Sequence, residues 1–162
     1  MKKYRTRVLV TLACALMAAS VSWAQTITIS NNAGLAFGKF VAGSGGIVTV
    51  TTGGGRSKTG GVLLLSSGAG AAASFTTTRI FGTGGGPVDL TYTITLPTSA
   101  TLTHSTSSTT TMTVDAFTSN PTPTGALLPG ETEQLSVGAR LTVGNNQAPG
   151  SYSGTFDVTV NF

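Results

Sequence analysis

Residues 88–96 read VDLTYTITL, with an apolar side chain at every second position and Asp or Thr between them. Because successive side chains of a β-strand point to opposite faces of the sheet, this alternation predicts a strand with one buried and one solvated face. The same period recurs in residues 135–143 and 156–162. We therefore predict that these three strands contribute to one core between two sheets. The predicted core residues are Leu90, Tyr92, Ile94, Leu135, Val137, Leu141, Phe156, Val158 and Val160.

Shorter apolar runs, separated by Gly, Pro and Asn turn formers, account for most of the remaining chain. They are Ile27–Ile29, Leu35–Phe37, Ile47–Val50, Val62–Leu65, Phe75–Phe81 and Met112–Val114. After Gln25, apolar residues nowhere recur at helical spacing over three turns. Many short strands with regular turn signals are typical of a sandwich or a barrel. Uneven strand lengths favour the sandwich, so we predict a single all-β sandwich domain over residues 25–162.

The alternation changes phase between Phe37 and Phe40, and again between Val114 and Phe117. A β-bulge, which sets two residues of one strand opposite one residue of its neighbour, would explain each change. We therefore expect a bulge at both places.

Tyr152 lies near the start of the last predicted strand, two residues before Gly154. Immunoglobulin-like sandwiches place a corner tyrosine two residues before a strand cysteine, and its hydroxyl bonds to nearby backbone. An ordinary amphipathic tyrosine at a strand edge fits the sequence equally well. Both interpretations stay open at this point.

The first 24 residues have the three parts of a secretory signal. A basic segment precedes an apolar stretch over residues 8–21, and small residues at Ser22 and Ala24 mark a cleavage point. The apolar stretch is too short for a stable membrane span, and lipid attachment at Cys14 is the alternative. We predict cleavage after Ala24 and a mature protein that is secreted. Contact with a membrane is expected only during export.

The charge of the chain is balanced once that signal is set aside. Nine basic and five acidic residues give a net charge of +4, but four of the basic residues precede residue 8. The remaining five basic residues match the five acidic ones, so the sequence favours neither nucleic acid nor an anionic surface as a partner. The remaining basic cluster, Arg56–Lys58, is interpreted as a solvated loop tip.

The chain offers few groups for catalysis. His104 is its single histidine. A metal site or catalytic triad that uses histidine would therefore depend on this one residue, which the sequence does not place beside other reactive groups. The motif GSYSG at residues 150–154 has Tyr152 where a nucleophile elbow requires serine. Asp89, Asp115 and Asp157 stand between apolar strand positions, which predicts that they point to solvent. We expect no enzyme activity, no cofactor and no metal; a glycosidase-like carboxylate pair from separate strands is the alternative.

Several segments together carry a resemblance to a known family. They are LAFGKFVAGSGGIVTV (residues 35–50), GGGRSKTGGVLLL (53–65), TYTITLP (91–97), MTVDAFTSNP (112–121) and LTVGNNQAPGSYSGTFDVTVNF (141–162). In this order they resemble the exported bacterial family called domain of unknown function 4402. The resemblance implies an immunoglobulin-like, pilin-like β-sandwich of mostly antiparallel strands. Such a domain is similar to the subunits of archaic chaperone–usher fimbriae and to spore-coat-U-like proteins.

The resemblance also implies a structural or adhesive role at the cell surface, with assembly by β-strand complementation. Implied partners are copies of this chain or other fimbrial subunits, a periplasmic chaperone and an outer-membrane usher. The strand over residues 151–162 would border the groove that receives a neighbour's strand. Its structural and assembly residues would be Tyr152, Phe156, Val158, Val160 and Phe162. A terminal strand frays unless it is paired and its face is buried, so we expect this one to lie between neighbours.

The N-terminal segment 25–30, with Ile27 and Ile29, is a candidate donor strand or a strand of the domain body. Fimbrial donor extensions usually alternate over ten or more positions, whereas here only these two apolar residues precede Asn31 and Asn32. A second function class therefore stays open. It is a self-contained extracellular binding module, for a glycan or another surface ligand, whose monomeric sandwich is already complete.

Overall fold

The computed structural model describes residues 26–80 and 89–162. The predictions on the signal segment, on Gln25 and on residues 81–88 lie outside these described residues. Within the described ranges, every regular element is a β-strand and all pairings are antiparallel. The strands are β1 (Thr26–Ala33), β2 (Phe40–Val41), β3 (Gly46–Val50), β4 (Arg56–Gly60), β5 (Leu63–Leu64), β6 (Ala73–Ile80), β7 (Leu90–Thr95), β8 (Ser99–His104), β9 (Ser107–Asn120), β10 (Thr124–Leu127), β11 (Thr132–Val143), β12 (Tyr152–Ser153) and β13 (Thr159–Asn161).

Strand β11 is the centre of the largest sheet. Its first half pairs with β6 from Thr132 to Val137, and its second half pairs with β3 from Ala139 to Val143. Its other edge pairs with β9, which gives the order β1-β6-β11-β9-β8-β12, and β4 extends the sheet beyond β3. The sheet therefore follows from the long alternating run that the sequence shows at residues 135–143.

Two smaller sheets, β10-β7-β13 and β2-β5, lie against the large one. Tyr92 and Ile94 of β7 and Leu127 of β10 pack in one core cluster with Leu135 and Val137 of β11. Burial of apolar side chains between two sheets is the defining property of a sandwich. The prediction of an all-β sandwich is confirmed.

The core differs from the prediction because it has two clusters instead of one. Leu141 lies in the second cluster, with Phe37, Val48 and Val114, whereas most of the other predicted core residues lie in the first. The division between the clusters falls at Gly138, where β11 changes its neighbour from β6 to β3. The backbone of β3 comes so close at this point that a Cβ added to Gly138 would clash with the carbonyl of Val50.

The predicted core residues also differ in their degree of burial. Tyr92, Leu135, Val137 and Leu141 are fully buried, and Ile94 is buried with 7% of its surface exposed. The other four, Leu90, Phe156, Val158 and Val160, are half-buried. Leu35 and Phe117 pack against both clusters and join them. The alternation therefore identified the buried face correctly, although not how much of each side chain is covered.

Of the two predicted bulges, one is confirmed. Between Val114 and Phe117 the β9–β11 register shifts, so that two residues of β9 stand opposite Ala139, and Ala116 has a φ of 48°. Between Phe37 and Phe40 the prediction is wrong, because the change of phase falls in a gap between two separate pairings. Gly38, with a φ of 72°, turns the chain within that gap.

Candidate functional site

A groove of about 1240 Å³ opens along the sandwich between two segments of the chain. We call residues 34–43 the first wall and residues 146–156 the second wall. The floor of the groove is apolar and comes from the large sheet. Its floor residues are Ala100 and Leu102 of β8, Met112 and Val114 of β9, and Leu141 of β11. The concave shape and apolar floor make this groove the best candidate for a binding site in the described part of the chain.

The first wall is paired along its back. Ala36 and Ala71 exchange backbone hydrogen bonds of 2.9 and 2.8 Å, and Leu65 N–H donates to the Lys39 carbonyl at 3.0 Å. Farther along, β2 pairs with β5 through Phe40 and Val41. The wall is thus held from one side, while its other side borders the groove.

The side chain of Arg56 also holds the first wall. Its Nη1 donates to the carbonyls of Phe37 and Lys39 at 3.1 and 3.2 Å, and its Nη2 donates to the Leu65 carbonyl at 2.8 Å. The interpretation of Arg56–Lys58 as a solvated loop tip is wrong. These residues begin β4, and Arg56 is half-buried although Ser57 and Lys58 are exposed. Nothing in the residue pattern indicated where the guanidinium would point.

The second wall folds around Tyr152. Its hydroxyl donates to the Ala148 carbonyl at 2.7 Å and accepts from Gln147 Nε2 at 2.9 Å. The hydroxyl of Tyr152 therefore bonds to upstream backbone, which is the contact that the first of its two interpretations requires.

The His104 ring lies edge-to-face on Tyr152, with ring centroids 4.9 Å apart. Its Nδ1 accepts from the Thr106 N–H at 3.2 Å, and its Nε2 lies 3.1 Å from the Pro149 carbonyl. Because Nδ1 accepts, the proton belongs on Nε2, which then donates to Pro149. His104 therefore fastens the start of the second wall to the end of β8.

The C-terminal segment departs from the predicted continuous strand. Tyr152 and Ser153 pair with β8, Thr159 to Asn161 pair with β7, and residues 154–158 lie in neither ladder. Among the described residues β13 pairs with β7 alone, so it lies at the edge of the three-stranded sheet.

The side chains of this segment still alternate. Phe156, Val158 and Val160 are half-buried, whereas Thr155, Asp157 and Thr159 are exposed. The Phe156 ring centroid lies 5.0 Å from that of Phe117 and 6.4 Å from that of Phe75. At the two ends of the segment, Tyr152 is half-buried and Phe162 is 57% exposed. The sequence thus predicted the buried face correctly, but it did not predict that residues 154–158 lie outside both ladders.

The candidate donor segment forms β1, at the edge of the large sheet. Ile27 packs on the core, Ile29 is 38% exposed, and most of the other β1 side chains are also exposed. Within the described ranges β1 pairs with β6 alone. In this structure the segment is therefore a strand of its own chain that contributes little to the core.

A buried polar cluster lies away from the groove, between β7 and β11. The Tyr92 hydroxyl donates to Glu133 Oε2 at 2.6 Å and lies 3.4 Å from Thr77 Oγ1. Burial above all, and then the hydrogen bond to Glu133, raise the pKa of Tyr92 from 10.0 to about 12. Glu133 belongs to β11 but precedes the alternating run at residues 135–143 from which that strand was predicted, so the sequence did not indicate this contact.

The Tyr92 cluster predicts a loss of stability at alkaline pH. The folded state holds the phenol proton more tightly than the unfolded state, whose pKa is near 10.0. The contribution to stability is therefore complete below pH 10 and declines as the pH rises toward 12. We expect Tyr92→Phe to show a smaller decline over this interval than the wild type in denaturant unfolding. Equal declines in the two proteins would contradict the assignment.

The acidic residues show no convergence toward a reactive site. Asp89 and Asp157 are exposed as predicted, while Asp115 is half-exposed and pairs with Arg140 at 3.1 Å. No group of three His, Cys, Asp or Glu side chains suited to a metal occurs among the described residues. The same residues contain no helix with the length and hydropathy needed to cross a membrane.

The fold and the groove define a class, an all-β sandwich with an open apolar groove beside its C-terminal segment. The chain belongs to the family described as domain of unknown function DUF4402, whose model matches residues 27–162. No curated protein matches the chain, and no solved structure does. The family match confirms the resemblance seen in the sequence at the level of the domain.

Proposed function

We propose that the protein is a non-catalytic structural or adhesive subunit, exported to the bacterial surface and assembled by β-strand complementation. The observation that carries the proposal is the groove between the first and second walls. Beside it, residues 154–158 lie in neither ladder although their side chains still alternate. An extended segment from another chain could pair with this backbone and cover the apolar floor.

The physical reason is that an unpaired strand edge presents free backbone donors and acceptors, with which another chain can pair. Natural sheets protect their edges with charge, proline, bulges or coverage by another element. Over residues 146–162, Asp157 carries the only charged side chain. Strand addition satisfies the backbone groups and places alternate side chains in pockets. The pilin-like and immunoglobulin-like organisation is part of this proposal.

The candidate donor strand is β1 of a second copy, with Ile27 and Ile29 as its apolar residues. Support comes from its position at a sheet edge and from its largely exposed side chains. Leaving β6 would uncover little of the core, since Ile27 is the β1 residue that packs against it. A periplasmic chaperone would protect the groove before assembly, and an outer-membrane usher would receive the subunit.

A substitution that fills the groove tests this function. Ala100 is half-buried on the groove floor, and Thr101, next to it on β8, is exposed on the opposite face. We expect Ala100→Trp to abolish multimers seen by electron microscopy and size-exclusion chromatography, while the domain stays folded. Thr101→Trp is the matched control and should assemble like the wild type.

The opposite outcome would favour the alternative function. If the wild type is monomeric at all concentrations, or Ala100→Trp assembles normally, strand complementation through this groove is wrong. A self-contained binding module for a glycan or another surface ligand would then be the better account.

A further inference from the structure

We propose that Arg56 is a positioning residue for strand acceptance, because its guanidinium keeps the first wall extended while the groove is open. This inference rests on the proposed function and names a residue on which that function depends. Arg56 does not line the groove. It acts through residues 37–39, whose other side borders the groove.

The first observation is the set of partners. One guanidinium donates to three main-chain carbonyls, at Phe37, Lys39 and Leu65, over 2.8 to 3.2 Å. Hydrogen bonds from a charged donor are about twice as strong as neutral ones. The planar fork of arginine presents five donors from three nitrogens, so it reaches acceptors that lie apart, whereas lysine presents its three donors from a single nitrogen. Arg56 thus joins the first wall to the segment after β5.

The second observation is a gap in the backbone pairing at the same place. The bridge from Ala36 to Ala71 and the pairing of Phe40 with Leu64 leave residues 37–39 outside any ladder. Within residues 37–39 the described backbone hydrogen bonds are two. The Lys39 N–H donates to the Gly68 carbonyl, and the Leu65 N–H donates to the Lys39 carbonyl. The Arg56 hydrogen bonds fall on this gap, where the wall would otherwise be held least.

The third observation is that the chain leaves room for the guanidinium. Gly38 has a φ of 72°, which favours glycine, and an added Cβ there would clash with Arg56 Nη1 and the Gly68 carbonyl. At Gly70 an added Cβ would lie 3.1 Å from Arg56 Cδ. Glycine is the residue that permits such close approach. The two glycines and the arginine therefore form one local arrangement.

The consequence for binding is preorganisation. A wall that must become ordered when a strand arrives weakens binding by the free energy of that ordering. Arg56 belongs to β4, which pairs with β3 from Arg56 to Gly60, so the guanidinium fixes the wall to the large sheet. The wall is then extended before the strand arrives.

The test compares Arg56→Gln and Arg56→Lys with the wild type, using the whole exported chain. The control is Arg140→Gln. Arg140 is an exposed arginine of β11, and its carboxylate partner is Asp115 of β9. The probe is a fluorescent peptide with the sequence of residues 25–36. Hydrogen exchange of the amides at residues 37–39 and thermal unfolding are measured in parallel.

We expect Arg56→Gln to bind the peptide about tenfold more weakly, because charge-assisted hydrogen bonds to the wall are lost. Exchange at residues 37–39 should be faster at a temperature where the variant is fully folded. Arg56→Lys should lie between this variant and the wild type, and Arg140→Gln should match the wild type. A purely structural role would change the unfolding temperature without changing affinity in the folded protein.

The outcomes separate this inference from the proposed function. If the wild type binds the peptide and both Arg56 variants bind it equally well, the role of Arg56 is wrong and strand acceptance stands. Unchanged exchange at residues 37–39 would also overturn the role of Arg56. If the wild type neither binds the peptide nor forms multimers, the proposed function fails and this inference fails with it.

Discussion

Replacing Leu135 with alanine is expected to lower the free energy of unfolding by about 2–5 kcal/mol, the range for truncating a buried leucine. Leu135 is 0% exposed and packs in the cluster that joins β6, β7, β10 and β11. The loss combines the removed apolar contacts with the cavity that the close-packed sheets cannot fill. The measurement is the midpoint and slope of denaturant unfolding.

Thr142→Ala is the matched control for this change. Thr142 belongs to the same strand, but it is exposed and points away from the core. Surface substitutions of this kind usually change stability by less than about 0.5 kcal/mol. Similar losses for Leu135→Ala and Thr142→Ala would contradict the two-faced assignment of β11.

The alternation of apolar residues was sufficient to predict β7 and β11, because each buries one face and leaves the other in solvent. It was not sufficient for β9, which extends over Ser107–Asn120. Most residues flanking Met112–Val114 in that strand are Ser and Thr, which show no contrast between faces. Periodicity also says which face is buried without saying which strand lies opposite, and therefore the division into two clusters at Gly138 was missed.

The groove illustrates a second limit of the sequence. The pattern at Phe156, Val158 and Val160 correctly indicated the inward side chains of the C-terminal segment. Whether those residues form a ladder depends on a neighbouring strand, which no local pattern encodes. The role of Arg56 was missed for a similar reason. Main-chain carbonyls are acceptors at every residue, so a guanidinium that binds three of them leaves no signature in residue types.

Replacing Asp157 with proline is expected to abolish assembly while leaving the domain folded. Asp157 is exposed and lies within residues 154–158, the part of the C-terminal segment outside both ladders. Proline has no backbone N–H, so it removes a donor that an incoming strand would use, and it requires the preceding residue to be extended. Because Phe156 already lies in an alternating segment, the folded domain should tolerate the change. Multimers are measured by electron microscopy, beside thermal unfolding of the same samples.

The variant to compare with Asp157→Pro is the double substitution of Val158→Thr and Val160→Thr. Both valines pack on the core as partly buried residues, and a buried hydroxyl without a partner destabilises a core. That variant should lose fold and assembly together, whereas Asp157→Pro should lose assembly alone. The two results would separate the edge of the segment from its inward face. Normal assembly by a well-folded Asp157→Pro protein would show that this edge accepts no strand, and the self-contained binding module would then explain the groove better.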